Sequence, residues 1–309
     1  MKLSDEQIQL RDWVHDFAAD VIRPVAEEWD EKEEFPYPVV QQAAEIGLYG
    51  WEFMANGMMG DPTGLTMPLA IEELFWGDAG IGMAIMGTGL AAAGIAASGT
   101  PEQLMEWVPQ CYGDEKDLKL GAFAASEPDA GSDVAGYRTR AVYDEATDEW
   151  ILNGTKAWIT NGGIADIHVV VGVVDPELRA KGHASFIVPP GTKGLSQGQK
   201  YKKHGIRASH TAEVVLEDVR VPGSCLLGGK EKLDERLARV REGKSGNAQA
   251  AMQTFEATRP AVGAQALGVA RAAYEYSLQY AKERHAFGKA IIENQAIAFM
   301  LADMATEIE

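Results

Sequence analysis

Residues 121–133 read GAFAASEPDAGSD, and residues 158–161, Trp158-Ile159-Thr160-Asn161, answer them downstream. The first segment packs small residues, a hydroxyl, a carboxylate, a proline and a glycine into one strand end and turn. The second sets an aromatic plane beside another hydroxyl. A flat ring with polar edges needs this combination. Small residues let the backbone come close, hydroxyls satisfy ring heteroatoms, and an aromatic covers a face. The first segment also marks the point where helical patterning gives way to strand patterning, and so divides the chain.

Upstream, residues 1–118 read as a helical domain. Ser4 and Gln7 have the spacing of a capping box. Leu10, Val14, Phe17 and Val21 recur at helical spacing until Pro24 ends or kinks the pattern. Residues 39–48 form a second helix closed by Gly47, and residues 67–75 and 88–97 continue the helical reading. Thr100 caps a further helix with Pro101 at its first position. The run 54–64, MANGMMGDPTG, is expected to be a loop by its glycines, Asp61 and Pro62.

Downstream, residues 119–228 switch to strands. Residues 149–159 contain Asn153-Gly154, the strongest short hairpin signal, between β-prone flanks. The β-branched runs 167–174, 184–188 and 212–221 have no helical pattern between them, which points to an antiparallel barrel or sandwich. Residues 229–309 return to helix. Gly243-Lys244-Ser245 invites a phosphate-loop reading, but Ala238 stands where that motif needs its first glycine and no strand precedes it, so a solvated helix and a flexible loop are expected instead. Thr258 is expected to cap a long helix with Pro260 in its first turn, running to about Arg284. Phe287-Gly288-Lys289 makes a turn. Ile297, Met300, Leu301, Met304 and Ile308 then mark the apolar face of a last helix, whose periodicity is still running at Glu309 without a stop signal. The expected fold class is therefore α+β: an N-terminal all-α domain (1–118), a middle antiparallel β barrel or sandwich (119–228), and the first part of a C-terminal helical bundle (229–309), with the chain read as truncated at its C-terminus.

Composition narrows the partners. At 309 residues, with 46% apolar and 24% charged residues, the chain is an ordinary globular sequence. Its net charge of −18 argues against nucleic acid and against an anionic membrane surface, since both need clustered Lys and Arg. A few placed cations still suffice for a phosphorylated ligand. Cys111 and Cys225 lie far apart, which gives no metal spacing and no disulfide framework and fits a reducing compartment. His204 and His210 are not at metal spacing either, and a surface turn is their expected home. No apolar run is expected to approach the length of a membrane span. The N-terminus has neither a secretory nor a transit pattern, so the expected location is cytoplasmic, or the mitochondrial matrix for a processed eukaryotic protein.

Two blocks, GAFAASEPDAGSDVAG with NGTKAWITNGG and residues 259–305 beginning RPAVGAQALGVARAAYEYS, resemble the acyl-CoA dehydrogenase family in order and separation. The resemblance spans nearly the whole chain and implies FAD as cofactor, an acyl-CoA substrate, an electron-transferring flavoprotein as acceptor and a homo-oligomer, dimer or tetramer. It implies that Phe123, Ala125 and Ser126 line the flavin ring, that Trp158 covers part of it, and that the Thr160 hydroxyl reaches its N5 atom. Ser132 would contact the coenzyme A chain, with Glu256 and Arg259 beside the acyl-CoA. Arg284, Phe287 and Gln295 would meet the FAD of a neighbouring subunit. Two positions depart from the family pattern: Asp129 replaces a commoner glycine, and Ala286 stands where many relatives place a hydroxyl.

The implied reaction takes a proton from the α carbon of the thioester and a hydride from the β carbon to the flavin. The proton needs a positioned base, normally a buried carboxylate, and the enolate oxygen needs donors. In the family that glutamate sits near the start of the helix that here carries Thr258-Arg259, or in a loop after the bundle. Thr258 cannot do this work, and Glu256 is two residues away on another face. No catalytic base is therefore expected in this chain, and the base is expected beyond residue 309. Thr88, Ala91 and Ala92 leave room for short to medium straight chains. Two alternative readings are a same-fold flavoprotein oxidase or monooxygenase, and a non-catalytic subunit of a mixed oligomer.

Overall fold

The computed structural model describes residues 2–244 and 250–309. Eight helices come first: α1 (Asp5–Phe17), α2 (Ala26–Lys32), α3 (Tyr37–Glu45), α4 (Trp51–Ala55), α5 (Thr66–Gly77), α6 (Ala79–Met86), α7 (Gly89–Ser98) and α8 (Pro101–Gln110). The sequence signals at their ends are used as expected. Ser4 and Gln7 exchange both capping-box bonds, as do Thr100 and Gln103. Val14 and Phe17 are buried, and Pro24 sits where the helix tightens to a 3₁₀ turn over Arg23–Val25. The expected loop at 54–64 is shorter than its glycines suggest, because α4 runs on as a π-helical turn, Asn56–Gly60. Gly57 serves close packing there, since a Cβ at that position would lie 2.3 Å from the Met67 sulfur. The true loop begins at Asp61, whose carboxylate accepts the backbone N–H groups of Thr63, Leu65 and Thr66 at 2.8–3.0 Å.

The expectation that no apolar run reaches a membrane-span length does not hold. Ala79–Ser98, 20 residues of mean hydropathy 1.6, is long and apolar enough by length and composition, and 67% of it is buried inside this fold. It breaks at Gly87-Thr88 into α6 and α7, and α7 packs on the first strand.

Seven strands follow: β1 (Gly121–Ala124), β2 (Arg140–Asp144), β3 (Glu149–Thr160), β4 (Ile167–Val173), β5 (His183–Val188), β6 (Leu195–Lys200) and β7 (Thr211–Pro222). They form one sheet in the order β1-β4-β2-β3-β7-β6, with β5 also on β4. The α+β class stands, but the sheet is mixed. β1 and β2 each run parallel to β4, while the other pairs are antiparallel. Every residue of β1, β4 and β5 is buried, so these strands are covered on both faces instead of alternating, with His168, His183 and Ser185 the buried polar residues among them.

Asn153-Gly154 is not a turn. β3 passes straight through it, and the β2–β3 hairpin turns at 145–148, where Asp148 takes a φ of 53°. Gly154 marks a bulge in the pairing with β7, where any Cβ would lie 2.6 Å from the Thr139 hydroxyl.

The chain returns to helix with α9 (Lys230–Arg241) and α10 (Ala250–Glu283), then a two-residue hairpin, β8 (His285–Ala286) and β9 (Lys289–Ala290), and α11 (Gln295–Ile308). Helix α9 is the expected charged helix. The loop expected after it includes Ser245-Gly246, which lie outside the described residues. Thr258 does not cap α10. The helix begins at Ala250, and the Thr258 hydroxyl donates to the Thr254 carbonyl at 3.0 Å inside it, with Pro260 two residues further on. The Ala-rich sequence before Thr258 carries the helix past the signal that reads as its start. α10 is clamped to α5: Arg271 lies between Glu72 and Glu73, bonding Glu73 at 2.7 Å, and Trp76 Nε1 donates to Glu275 at 2.7 Å. The hairpin after it turns at Phe287 and Gly288, both at positive φ (52° and 81°), as a tight two-residue hairpin requires.

Candidate active site

The two segments that open the reading lie side by side. The Ala157 N–H donates to the Ser126 carbonyl at 2.9 Å, the Lys156 ammonium to the Ala125 carbonyl at 2.9 Å, and the Asn161 amide to the Gly121 carbonyl at 3.1 Å. Three bonds thus pin β1 and the turn after it along β3. Phe123 and Ala125 are buried, Ser126 and Thr160 are half-buried, and Trp158 is 60% exposed.

The turn itself is locked from beneath by groups that the sequence reading missed. Glu127 is buried and pairs with fully buried Lys156 at 2.8 Å. Its carboxylate also accepts the backbone N–H groups of Arg138 (2.6 Å) and Thr139 (3.0 Å). Lys156 sits 4.6 Å above the Tyr137 ring, which stacks on His183 at 5.3 Å. Burial pushes the Glu127 carboxyl up, but Lys156 and the hydrogen bonds outweigh it, so its pKa is lowered. Burial brings Lys156 down to about 8 against the pull of Glu127. The lowered carboxyl favours the charged form of Glu127, and the ammonium, at about 8 despite its burial, still answers it at neutral pH. A strand lysine ordinarily reads as solvent-facing, so only the structure shows it answering Glu127. The far end of the segment closes with Glu127 and Ala130 bonding backbone to backbone, which leaves Pro128 and Asp129 exposed, as a surface turn requires.

Trp158 has a φ of 63° and Asn161 of 60°. Asparagine tolerates the left-handed region, whereas a bulky residue there costs about 1–2 kcal/mol. The pairing register of β3 and β7 slips between Lys156 and Ile159, which frees Trp158 from the ladder and turns its indole out of the core. The indole lies flat on Tyr201, with ring centroids 3.7 Å apart and planes at 17°.

The remaining residues of interest are spread over the surface. Ser132 is exposed just after the turn, and Glu256 and Arg259 are exposed on the first third of α10. Arg284, Phe287 and Gln295 are exposed beyond its other end. From residue 256 to residue 284 the helix rise amounts to about 42 Å, so one chain does not bring these two groups to one ligand-sized site. His204 is exposed as expected, but His210 is buried and its Nε2 lies 3.0 Å from the Gly162 carbonyl.

Family models for the acyl-CoA dehydrogenase N-terminal, middle and C-terminal domains match residues 4–115, 122–219 and 248–309. The mitochondrial short-chain specific acyl-CoA dehydrogenase of Bos taurus is 38% identical over 316 residues, covering 100% of this chain and 71% of that protein. The structure of butyryl-CoA dehydrogenase from Megasphaera elsdenii superposes with a TM-score of 0.86 at 35% identity, covering 100% of this chain and 77% of that one. A glutaryl-CoA dehydrogenase from Mycobacterium smegmatis in complex with FADH2 gives a TM-score of 0.82 at 31% identity, covering 99% and 73%. By sequence and by fold, this chain belongs to the acyl-CoA dehydrogenase family, oxidoreductases acting on CH–CH bonds.

Proposed function

We propose that this chain carries FAD-dependent α,β-desaturation of a short, straight acyl-CoA thioester within a homo-oligomer, passing electrons to an electron-transferring flavoprotein. The observation that carries the reading is the join of β1 to β3. It brings the segment of buried Ala125 and half-buried Ser126 alongside the strand that carries half-buried Thr160 and the outward-turned Trp158 indole. Those residues fit a flavin ring. Ala125 offers no side chain to obstruct it, Ser126 and Thr160 offer hydroxyls for its heteroatoms, and Trp158 offers a flat face. The cofactor, when bound, supplies the acceptor for the hydride from the β carbon. This chain's residues bind and orient. Ser132, Glu256 and Arg259 are assigned to the thioester side, and Trp158 shields the ring. Thr258 spends its hydroxyl on the Thr254 carbonyl and has no carboxylate to accept the α proton, so that role is assigned to a glutamate outside residues 1–309. The distance along α10 supports the oligomer: Arg284, Phe287 and Gln295 are assigned to the FAD of a neighbouring subunit.

The test is the visible spectrum of the purified protein supplied with FAD. Retained flavin bands are expected, and anaerobic butyryl-CoA is expected to change them while butyrate without coenzyme A does not. A protein that retains no FAD, or whose bands ignore the thioester, overturns the reading.

A further inference from the structure

We propose that Tyr201 is a positioning residue for Trp158, a stacked brace that fixes the indole plane at the edge of the candidate flavin site; this rests on the flavin reading above. Two slips of register meet at this point. The β3–β7 pairing shifts between Lys156 and Ile159, which puts Trp158 outside the ladder at positive φ. The β6–β7 pairing shifts between Gln197 and Lys200, and the chain then runs on with the Tyr201 N–H donating to the Thr211 carbonyl at 3.0 Å. The first slip lifts the indole off the core, and the second brings a phenol ring against it.

Strained backbone persists only where its surroundings over-determine it. Trp158 is 60% exposed, so the core does not hold its ring. The stack at 3.7 Å and 17° does. Tyr201 is itself fixed at both ends, by its backbone bond to Thr211 and by its hydroxyl, which donates to Glu213 at 3.2 Å. Glu213 is held in turn by the backbone N–H of Gln199 at 3.0 Å. Partial burial and then Glu213 raise the phenol pKa, so it remains a donor through the physiological range. The chain Gln199–Glu213–Tyr201–Trp158 thus runs from the sheet to the indole through named contacts.

The full chain is tested as Tyr201→Leu and Tyr201→Phe, with Trp158→Phe used to isolate the Trp158 share of the fluorescence. Acrylamide quenching of that share is read without FAD, visible circular dichroism is read on bound FAD, and melting temperature is recorded for each. In Y201L the quenching constant of Trp158 is expected to rise about twofold, because one face of the indole loses its cover. Its flavin dichroism is expected to change while the melting temperature stays within a few degrees of the parent. Y201F keeps the ring and is expected to retain both parental signals. If Y201L leaves the Trp158 quenching unchanged, or if Y201F behaves as Y201L, the brace is wrong. The quenching arm needs no cofactor. A parent protein that binds no FAD therefore overturns the proposed function and not the stack, whereas an unchanged Trp158 in a yellow protein overturns the stack alone.

Discussion

A buried lysine is costly unless its charge is answered, and Lys156 is answered by the Glu127 carboxylate, the Ala125 carbonyl and the Tyr137 face. Removing either partner of a buried pair strands the other, at a cost of roughly 3–5 kcal/mol. Glu127→Gln and Lys156→Met are therefore each expected to lower the unfolding free energy by that order, and to release FAD from the protein that still folds, because Ala125 and Ser126 flank the lost bonds. Equilibrium unfolding with flavin content read on the same samples checks this, and a stable, flavin-retaining K156M would falsify the anchoring role. Histidine gives the pH dependence. His168 is buried and accepts the Gly163 N–H at Nε2 (3.1 Å), a role only the neutral ring can fill, and burial lowers its pKa to about 4. Burial and then Lys156 lower that of His183 to about 4 as well. The unfolded chain takes up these protons first, near pH 6.5. Stability is thus full above that value and is lost as pH falls towards 4, by about 1.4 kcal/mol per pH unit for each histidine. Urea midpoints at pH 7, 5.5 and 4.5 are expected to fall in that order, and His168→Gln is expected to flatten the slope. Little of this was legible beforehand. GAFAASEPDAGSD and WITN show which residue types stand near a ring, but not that Glu127 and Lys156 meet, because a salt bridge across 29 residues leaves no periodic trace.

At the scale of elements, helix α10 offers its own control. Gly263 and Gly268 lie on the same helix, yet a Cβ at Gly263 meets nothing within 4 Å, while one at Gly268 would lie 2.2 Å from the Glu72 carbonyl and 2.9 Å from the Trp76 nitrogen of α5. Alanine in an exposed helix interior is favoured over glycine by about 0.8–1 kcal/mol. Gly263→Ala is thus expected to raise the melting temperature. Gly268→Ala meets backbone that cannot rotate away, so α10 must move off α5, and overpacking of this kind costs about 1–3 kcal/mol. The pair is expected to shift thermal unfolding in opposite directions, and two shifts of the same sign would refute the close approach. Elements were the most legible level of this fold. Capping boxes at Ser4 and Thr100 and the apolar spacing of Val14 and Phe17 are local, and local signals survive folding. The misreadings came where tertiary structure overrode a local signal. Asn153-Gly154 became a bulge because β7 and Thr139 press on it, and the Thr258 cap dissolved into a helix that the preceding alanines had already started. The parallel placement of β1 and β2 on β4 had no signal at all, since strand order is a long-range property.

Over the whole molecule, large exposed apolar side chains are unevenly placed. Val262, Val269, Tyr276, Tyr280, Phe287, Phe299, Met300 and Met304 all lie on α10, α11 or the hairpin between them. These two helices touch each other, and α10 also packs on α5 and α7, yet their outer faces keep aromatic and methionine side chains in water. Scattered apolar residues on a surface need no explanation, but a set gathered on one helical layer is expected to be covered, here by another copy of the chain. The sequence reading put Met300, Leu301 and Met304 on one apolar face; of the three only Leu301 is buried, and the two methionines leave that face open to solvent. The same layer presents Phe287 wholly exposed at the tip of its tight turn, about 40 Å along α10 from Glu256. A chain of net charge −18 repels its copies at long range, so association has to come from apolar burial and to strengthen with salt. Sedimentation at micromolar concentration is therefore expected to give a mass that is a multiple of 33.4 kDa, rising with ionic strength. Phe299→Glu together with Met300→Glu is expected to shift the population towards the monomer, and to cost FAD retention with it if Arg284, Phe287 and Gln295 serve a neighbour's cofactor. A double variant that becomes monomeric and keeps its flavin would leave the association face standing and remove those three residues from the cofactor site.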